Sequence, residues 1–380
     1  MTQDRAASPF CVILGDGSVK LYGLTGKERL LRQLRRAGVT DERIVPPSEL
    51  SRTTADSVAI FRADRVFEEP LVGALLEARE VALLDDGGQV AAVHVPAAEA
   101  EAVIAALESG GELPARLSRK TPKELAGTYN KQLRKRAEFY VLAVSEEARY
   151  RCEKRVFAGT YKGVTDVVSK YVFPFPVFHL TRLAAALRMH PNTVTTISLL
   201  FTLATIFLWL EGHLWAGLAT AWTMLILDTV DGKLARTTLT SSKFGDIFDH
   251  GIDLIHPPFW YWAWIEGLMP NFPYPREVLS VLVVVYVVQR LQEGYFIKRF
   301  GIEMHVWRRF DSFFREITAR RDPNIAVLTI FLLFGQPALG LVVVTAWAVI
   351  SLGVHTVQIL QAEIARARGQ AITSWLAAPG

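Results

Sequence analysis

Six apolar runs occupy the second part of this 380-residue chain, and each is long enough to cross a bilayer. A membrane-spanning helix needs about 20 predominantly apolar residues. The runs cover residues 191–210, 213–235, 243–266, 276–297, 323–341 and 340–362. The sequence therefore predicts an all-α six-helix transmembrane domain over residues 161–368, followed by a tail at 369–380.

Basic residues are unevenly distributed among the connections between these runs. Connections near Gly212, at 270–275 and at 335–340 hold almost none, whereas the other connections and the end of the last run are basic. The basic residues there are Lys233, Arg236, Lys243, Lys298, Arg299, Arg308, Arg309, Arg315, Arg320, Arg321, Arg366 and Arg368. Because cytoplasmic loops carry an excess of Lys and Arg, we expect an integral protein of the cytoplasmic membrane with both termini in the cytosol.

Acidic residues at helical spacing lie at the end of the second run and at the start of the third. Asp228 and Asp231 are three residues apart, and Asp249 and Asp253 are four apart. Residues three or four apart share one face of a helix. The spacing predicts two helices that face each other with two carboxylates each, at the cytosolic edge of the membrane.

Residues with little or no side chain share these faces. Gly232, Ala235 and Gly245 each lie four residues from one of the acids, and they leave room for a bulky ligand against the backbone. Acids clustered at a membrane edge are costly unless a cation neutralises them. Hard oxygen ligands suit Mg²⁺, Mn²⁺ or Ca²⁺. The pattern predicts a divalent-metal site beside a ligand cavity.

The two segments together resemble the signature of CDP-alcohol phosphotransferases, D-x2-D-G-x2-A-R-x8-G-x3-D-x3-D. Every fixed position is matched at the same spacing. The matching residues are Asp228, Asp231, Gly232, Ala235, Arg236, Gly245, Asp249 and Asp253. The resemblance covers the whole membrane domain and implies the family's six-helix arrangement. The family is commonly dimeric, so we expect a homodimer in the lipid bilayer.

The resemblance implies an enzyme of phospholipid or phosphodiester biosynthesis. It would transfer a phospho-alcohol group from a CDP-alcohol donor to the hydroxyl of an acceptor alcohol and release CMP. Two Mg²⁺ or Mn²⁺ ions about 3.5–4 Å apart would neutralise the diphosphate and help the leaving group depart. The metal ligands would be Asp228, Asp231 and Asp249. The nucleotide would lie near Gly232, Ala235, Arg236 and Gly245. The resemblance implies that Asp253 is the general base, and one acid must indeed remain free to take the alcohol proton.

Several basic residues are candidates for binding a phosphate on the acceptor. They are Lys162, Arg290, Arg320 and Arg321. Arg290 lies inside the fourth run, where a charge needs a partner; Glu293 is the alternative to a bound phosphate. The planar guanidinium suits phosphate because it meets two oxygens at once. The donor stays open between CDP-diacylglycerol and a CDP-polyol such as CDP-inositol, and the basic residues favour a polyol phosphate as acceptor.

Residues 1–118 alternate short apolar strands with amphipathic helices. Strands are predicted at 10–14, 57–61, 81–84 and 90–95, and helices at 26–38, 70–78 and 97–109. This alternation predicts a small α/β domain with a mostly parallel sheet. Gly15-Asp-Gly17 after the first strand resembles the opening of a sugar-phosphate nucleotidyltransferase domain. Its loop is short for that family, so we expect a degenerate domain kept for packing, assembly or regulation.

Residues 119–160 are predicted to form a basic helical connector. Two clusters, at 131–136 and 149–155, are expected on helices. Their basic side chains either face solvent or lie against anionic headgroups, at about 1 kcal/mol per residue near the membrane.

Two alternative functions remain open. The first domain would make the enzyme bifunctional if it also synthesised the CDP-alcohol. The acid cluster could instead belong to a non-enzymatic membrane cation-binding protein. The net charge of +4 is too small to suggest a nucleic-acid partner.

Overall fold

The computed structural model describes residues 9–52, 54 and 56–377. By internal contacts the chain divides into two units. The first comprises residues up to 132, 136–161 and 236–239, and the second comprises 133–135, 162–235 and residues from 240 onward.

The first unit is an α/β region built on a five-stranded sheet. Its strands are β1 (Phe10–Leu14), β2 (Ser57–Arg62), β3 (Arg65–Phe67), β4 (Val81–Leu84), β5 (Val90–Pro96), β6 (Ser118–Lys120), β7 (Tyr129–Asn130), β8 (Lys135–Arg136) and β9 (Val141–Ala143). Its helices are α1 (Gly26–Arg36), α2 (Glu69–Glu77), α3 (Ala100–Ser109), α4 (Pro122–Ala126) and α5 (Arg149–Gly159). The four predicted strands and the three predicted helices are confirmed, with small shifts at their ends.

The sheet is mixed, with the strand order β1-β2-β5-β4-β6. β1 pairs with β2 and β4 with β6 in parallel, whereas β5 is antiparallel to both β2 and β4. The prediction of a mostly parallel sheet is therefore wrong. The pairing of β4 with β5 differs from the prediction because the connection between them, at 85–89, is so short that it permits only an antiparallel pair.

Helices cover both faces of this sheet. Side chains alternate along a strand, so Ile13 joins the apolar cluster of α1 and α2 on one face, while Val12 joins the cluster of α3 on the other. The apolar faces of α1 and α3 are buried in these clusters through residues such as Leu34 and Val103. The first unit thus has its own hydrophobic core in three layers.

Only the second half of the predicted helical connector is helical in the structure. Helix α5 confirms the second basic cluster. The first cluster is not helical: β7 and β8 pair as a two-stranded ladder around a turn at 131–134. Arg134 adopts a positive φ of 49° there, a conformation incompatible with a continuing α-helix.

The second unit is helical. After a short π-helical turn at Val168–Val172 it contains α6 (Pro174–Ala186), α7 (Pro191–Leu210), α8 (Leu214–Thr237), α9 (Lys243–Gly267), α10 (Pro275–Phe300), α11 (Arg309–Ile317), α12 (Arg321–Leu333) and α13 (Pro337–Ala367). The last two residues of α8 belong to the first unit. Among the described helices, α7, α10 and α13 are long and apolar enough to cross a membrane. Large apolar side chains such as Ile350 and Leu360 are exposed along α13, as expected for a surface that contacts lipid.

The predicted fifth span differs from the structure. Helix α12 ends at Leu333, because Gly335 adopts a left-handed φ of 66° and Pro337 opens α13. Its 13 residues are too few to span a bilayer alone. Helix α11 precedes it, in a stretch that the sequence analysis treated as a basic connection.

Candidate active site

Three of the four predicted acids come together between α8 and α9. Asp228 on α8 and Asp249 and Asp253 on α9 each offer a carboxylate oxygen, and these three atoms lie within 4.8 Å of one another. The four-residue step between Asp249 and Asp253 places both on the same face of α9. Converging carboxylates of this kind form a ligand set for a hard divalent cation.

The surroundings of Asp249 fit such a cation. Its Oδ1 atom is buried and accepts no hydrogen bond from the described residues. A buried acceptor without a partner is costly, and coordination to a metal ion would satisfy it. The residues present therefore fit the divalent cation that the sequence predicts.

Asp231 lies in a more enclosed environment than the other three acids. It is buried, and the hydroxyl of Thr195 on α7 donates to its Oδ2 atom at 2.6 Å. It lines a small cavity together with Gly232, Ala235, Gly245 and Asp249. Three of the four predicted nucleotide-contacting residues thus share one cavity with two of the acids.

Gly245 is required by a close approach of α7. A Cβ atom at this position would lie 2.9 Å from Oδ1 of Asn192 and 3.2 Å from Oγ of Ser242. Ser242 caps the start of α9, because its hydroxyl accepts from the Gly245 amide at 3.0 Å. Any larger residue would have to displace the side chain of Asn192 on α7. Arg236, the fourth predicted nucleotide contact, lies in the last turn of α8 and is grouped with the first unit.

A second, larger cavity opens beside Asp228 and Asp253. Its volume is about 240 Å³, and both acids line it. Two further acids, Asp166 and Asp322, line it as well, and six lining residues are basic: Arg134, Lys162, Arg290, Arg315, Arg320 and Arg321. All four residues that the sequence analysis proposed for phosphate binding are therefore present in one cavity.

Arg321 joins the basic lining to the acids. Its Nη2 atom donates to Oδ2 of Asp228 at 2.6 Å, and its Nη1 atom donates to Oδ1 of Asp253. Its Nε atom donates to Oδ1 of the neighbouring Asp322 at 3.0 Å. The side chain of Arg321 is only 16% exposed. In this arrangement it is the counter-ion of the acid cluster, a role that the sequence analysis did not assign to it.

Two cavity residues were missed by sequence reasoning. Arg134 lies in the turn between β7 and β8, and Arg315 lies on the buried side of α11. The basic residues at 308–315 were interpreted only as an indicator of topology. The apolar spacing of Phe310, Phe314 and Ile317 would have predicted the helix that carries Arg315.

Comparisons with known proteins agree with this site. The family model described as CDP-alcohol phosphatidyltransferase matches residues 188–354. Cholinephosphotransferase 1 of Danio rerio is 38% identical over 80 residues, which are 18% of this chain and 21% of the relative. Cholinephosphotransferase 1 of Mus musculus is 37% identical over 82 residues, 19% of this chain and 21% of the relative.

These alignments span only about a fifth of each cholinephosphotransferase. The family match begins at residue 188, so the likeness of the first unit to nucleotidyltransferases stays a prediction. The matched range contains α8 and α9 with all eight signature residues. Residues 188–354 therefore form a domain that matches the CDP-alcohol phosphatidyltransferase family model.

Proposed function

We propose that this protein is a membrane phosphotransferase that moves a phospho-alcohol group from a CDP-alcohol to an acceptor hydroxyl and releases CMP. The observation that carries the proposal is the convergence of Asp228, Asp249 and Asp253 from two helices that match the family signature. The small cavity beside Gly232, Ala235 and Gly245 supports a nucleotide position next to these acids.

The roles of the acids follow from their surroundings. Asp228, Asp231 and Asp249 would hold Mg²⁺ or Mn²⁺, which when bound neutralises the diphosphate and stabilises the departing CMP. Of the two signature acids that line the larger cavity, Asp253 is the more exposed, at 39% against 13% for Asp228. It is therefore accessible to take the proton of the acceptor hydroxyl. The acceptor oxygen then bonds to the β-phosphorus, and the bond from that phosphorus to the CMP oxygen breaks.

The basic lining supports a phosphorylated acceptor. Lys162, Arg290 and Arg320 line the same cavity as Asp253, so one acceptor molecule can place a phosphate on the basic side and a hydroxyl near the base. Arg321 is already paired with Asp228 and Asp253. It would contribute to phosphate binding only when a divalent cation replaces it as the counter-ion of the acids.

We also propose that the site faces the cytosol, with both termini on that side, and that the enzyme is a homodimer. The support for orientation is the excess of Lys and Arg around the site and after the last helix. A water-soluble CDP-polyol would reach the site from this side, and CDP-diacylglycerol would reach it from the bilayer.

The test is CMP release by the full-length protein in detergent. CDP-diacylglycerol and CDP-inositol are offered with matched acceptor pairs, inositol with inositol phosphate and glycerol with glycerol phosphate. We expect CMP only when a donor and a phosphorylated acceptor are both present, and none after chelation of divalent ions. Release that is insensitive to chelation, or no release with any pair, would refute the proposal.

A further inference from the structure

One buried carboxylate lies behind the basic side of the larger cavity. The Oε1 atom of Glu293 accepts from Nη2 of Arg290 at 3.0 Å and from Nη2 of Arg320. The same oxygen is 3.3 Å from Nε2 of His305. The side chain of Glu293 is only 17% exposed. Two guanidinium donors and one imidazole nitrogen therefore converge on a single carboxylate oxygen in the interior.

This carboxylate connects three parts of the helical unit. Glu293 and Arg290 are on α10, His305 is buried in the short turn at Met304–Val306, and Arg320 directly precedes α12. Charge-assisted hydrogen bonds are stronger and more directional than neutral ones. Glu293 thus fixes the start of α12 against α10 at the point where two cavity arginines meet.

The arginines keep donors that Glu293 does not use. A guanidinium has five N–H donors, and Glu293 accepts one from each of Arg290 and Arg320. The Nε atoms of both arginines are buried and have no acceptor among the described residues. The positive charges of Arg290 and Arg320 repel each other. The carboxylate that they share offsets this repulsion, although it accepts only one hydrogen bond from each guanidinium.

Arg290 and Arg320 line the larger cavity, whereas Glu293 is not among the described residues that line it. We propose that Glu293 is a positioning residue that holds these two guanidiniums towards the cavity, so that together they bind the phosphate of the acceptor. The inference rests on the proposed function, because it requires a phosphorylated acceptor. Glu293 takes no part in bond making; its contribution is to acceptor affinity.

The variant that tests this role is Glu293→Gln, which keeps the size of the side chain and removes its charge. The matched control is Glu363→Gln. Glu363 on α13 also accepts from an arginine of α10, with Nε of Arg299 at 2.8 Å and Nη2 at 3.1 Å. The control therefore loses a comparable ion pair between helices outside the cavity.

We expect Glu293→Gln to raise KM for the phosphorylated acceptor about tenfold or more, the equivalent of 1.4 kcal/mol per factor of ten. The donor KM and the kcat at saturating acceptor should stay within about twofold of wild type. Glu363→Gln should leave all three constants near wild type. A purely structural role of Glu293 would instead lower the active fraction of Glu293→Gln, and therefore its apparent kcat, without a selective increase in the acceptor KM.

A binding measurement separates the two hypotheses. Inorganic phosphate should raise the thermal unfolding temperature of the wild type and of Glu363→Gln at the same concentrations, whereas Glu293→Gln should need about tenfold more. If wild type turns over a phosphorylated acceptor while Glu293→Gln keeps the wild-type acceptor KM and phosphate response, the positioning role is wrong. If wild type neither responds to phosphate nor uses a phosphorylated acceptor, the proposed acceptor fails and the role of Glu293 fails with it.

Should Glu293→Gln not yield folded protein, Glu293→Asp replaces it. This variant retains the charge but shortens the side chain by one methylene, so the guanidiniums can no longer both reach their original positions. It must show the same selective increase in acceptor KM. An unchanged acceptor KM in folded Glu293→Asp would overturn the inference.

Discussion

The α/β unit and the helical unit treat their buried polar groups in opposite ways. In the α/β unit, buried polar groups such as His94 have neutral or oppositely charged partners: the ring of His94 is hydrogen-bonded to the Leu75 carbonyl at 3.0 Å and to the Ser57 hydroxyl at 2.9 Å. Nε of Arg65 likewise donates to Oδ2 of Asp85 at 2.7 Å. In the helical unit, by contrast, carboxylates converge on carboxylates and guanidiniums on guanidiniums.

Under the proposed function, this difference in pairing distinguishes polar groups that stabilise the fold from polar groups that bind a ligand. Clustered like charges destabilise a folded chain unless counter-ions compensate them. Arg321 pairs with two of the three converging acids, and Glu293 is shared by Arg290 and Arg320. Under the proposed function, the excess carboxylates suit a cation, and the two guanidiniums that share one carboxylate suit a phosphate.

The largest effect should come from Asp253→Asn. If Asp253 takes the acceptor proton, kcat should fall by about 10²–10⁴-fold, with the donor KM little changed. The measurement is CMP release at saturating substrates. Glu266→Gln, an exposed acid on the same helix α9, is the control and should behave as wild type. A wild-type kcat for Asp253→Asn would show that Asp253 is not the general base.

Arg321→Met tests whether the acids need their internal counter-ion. Removing one partner of a buried ion pair typically costs about 3–5 kcal/mol, so the metal-free variant should be less stable by that order. Mg²⁺ should recover part of the loss, because it neutralises the same carboxylates. Unfolding in detergent, with EDTA and then with Mg²⁺, measures both effects. The exposed Arg309, whose guanidinium lies 5.3 Å from the Trp375 ring centroid, provides the control Arg309→Met. Equal stability of the two variants in EDTA would contradict the counter-ion role.

Gly26→Ala should damage the α/β unit without affecting the chemistry. A Cβ on Gly26 would lie 1.7 Å from the carbonyl oxygen of Ala63, so the backbone must shift, at a cost of about 1–3 kcal/mol. Gly73→Ala is the matched control, because a Cβ there meets nothing within 4 Å and alanine favours its helix by up to about 1 kcal/mol. We expect opposite changes in unfolding temperature and an unchanged kcat per folded molecule. A kcat that falls with Gly26→Ala would show that the units do not differ as described.

The smallest effect is a pH dependence in the α/β unit. Burial lowers the pKa of His94 below its usual value, which is about 6.5 in an unfolded chain. The unfolded state then binds more protons, so stability falls as the pH drops below about 6.5. Unfolding temperatures at pH 7.5 and 5.5 should differ more for wild type than for His94→Gln. Equal differences in the two proteins would exclude His94 as the source.

The acid cluster was predictable from sequence, and the basic cavity was predictable only in part. Asp249 and Asp253 lie on one helix, so their spacing alone places them on one face. The basic residues come from separate elements, from Arg134 in a turn to Arg320 before α12. No local spacing relates residues so far apart in the chain. The pairing of Arg321 with the acids is likewise a tertiary contact that no periodicity encodes.

The fold shows the same division between local and long-range information. The apolar pattern of the sequence located the strands β1, β2, β4 and β5, because alternation and apolar runs are local signals. The direction of pairing depended on the length of the connection at 85–89, which the prediction did not use. Helix α11 was missed because its basic residues were counted as loop charges.

The first turn of α7 has a consequence that reaches both signature helices. Thr195 holds Asp231 of α8, and Asn192 lies where any side chain on Gly245 of α9 would have to go. Helix α7, which lies outside the signature, thus forms a third wall of the small cavity beside α8 and α9 and limits its width. Thr195→Val, which keeps the shape of the side chain but removes the hydroxyl, would release the carboxylate of Asp231 while leaving every signature residue in place. The width of the cavity beside Asp231 would then depend on a threonine that lies outside the eight signature positions.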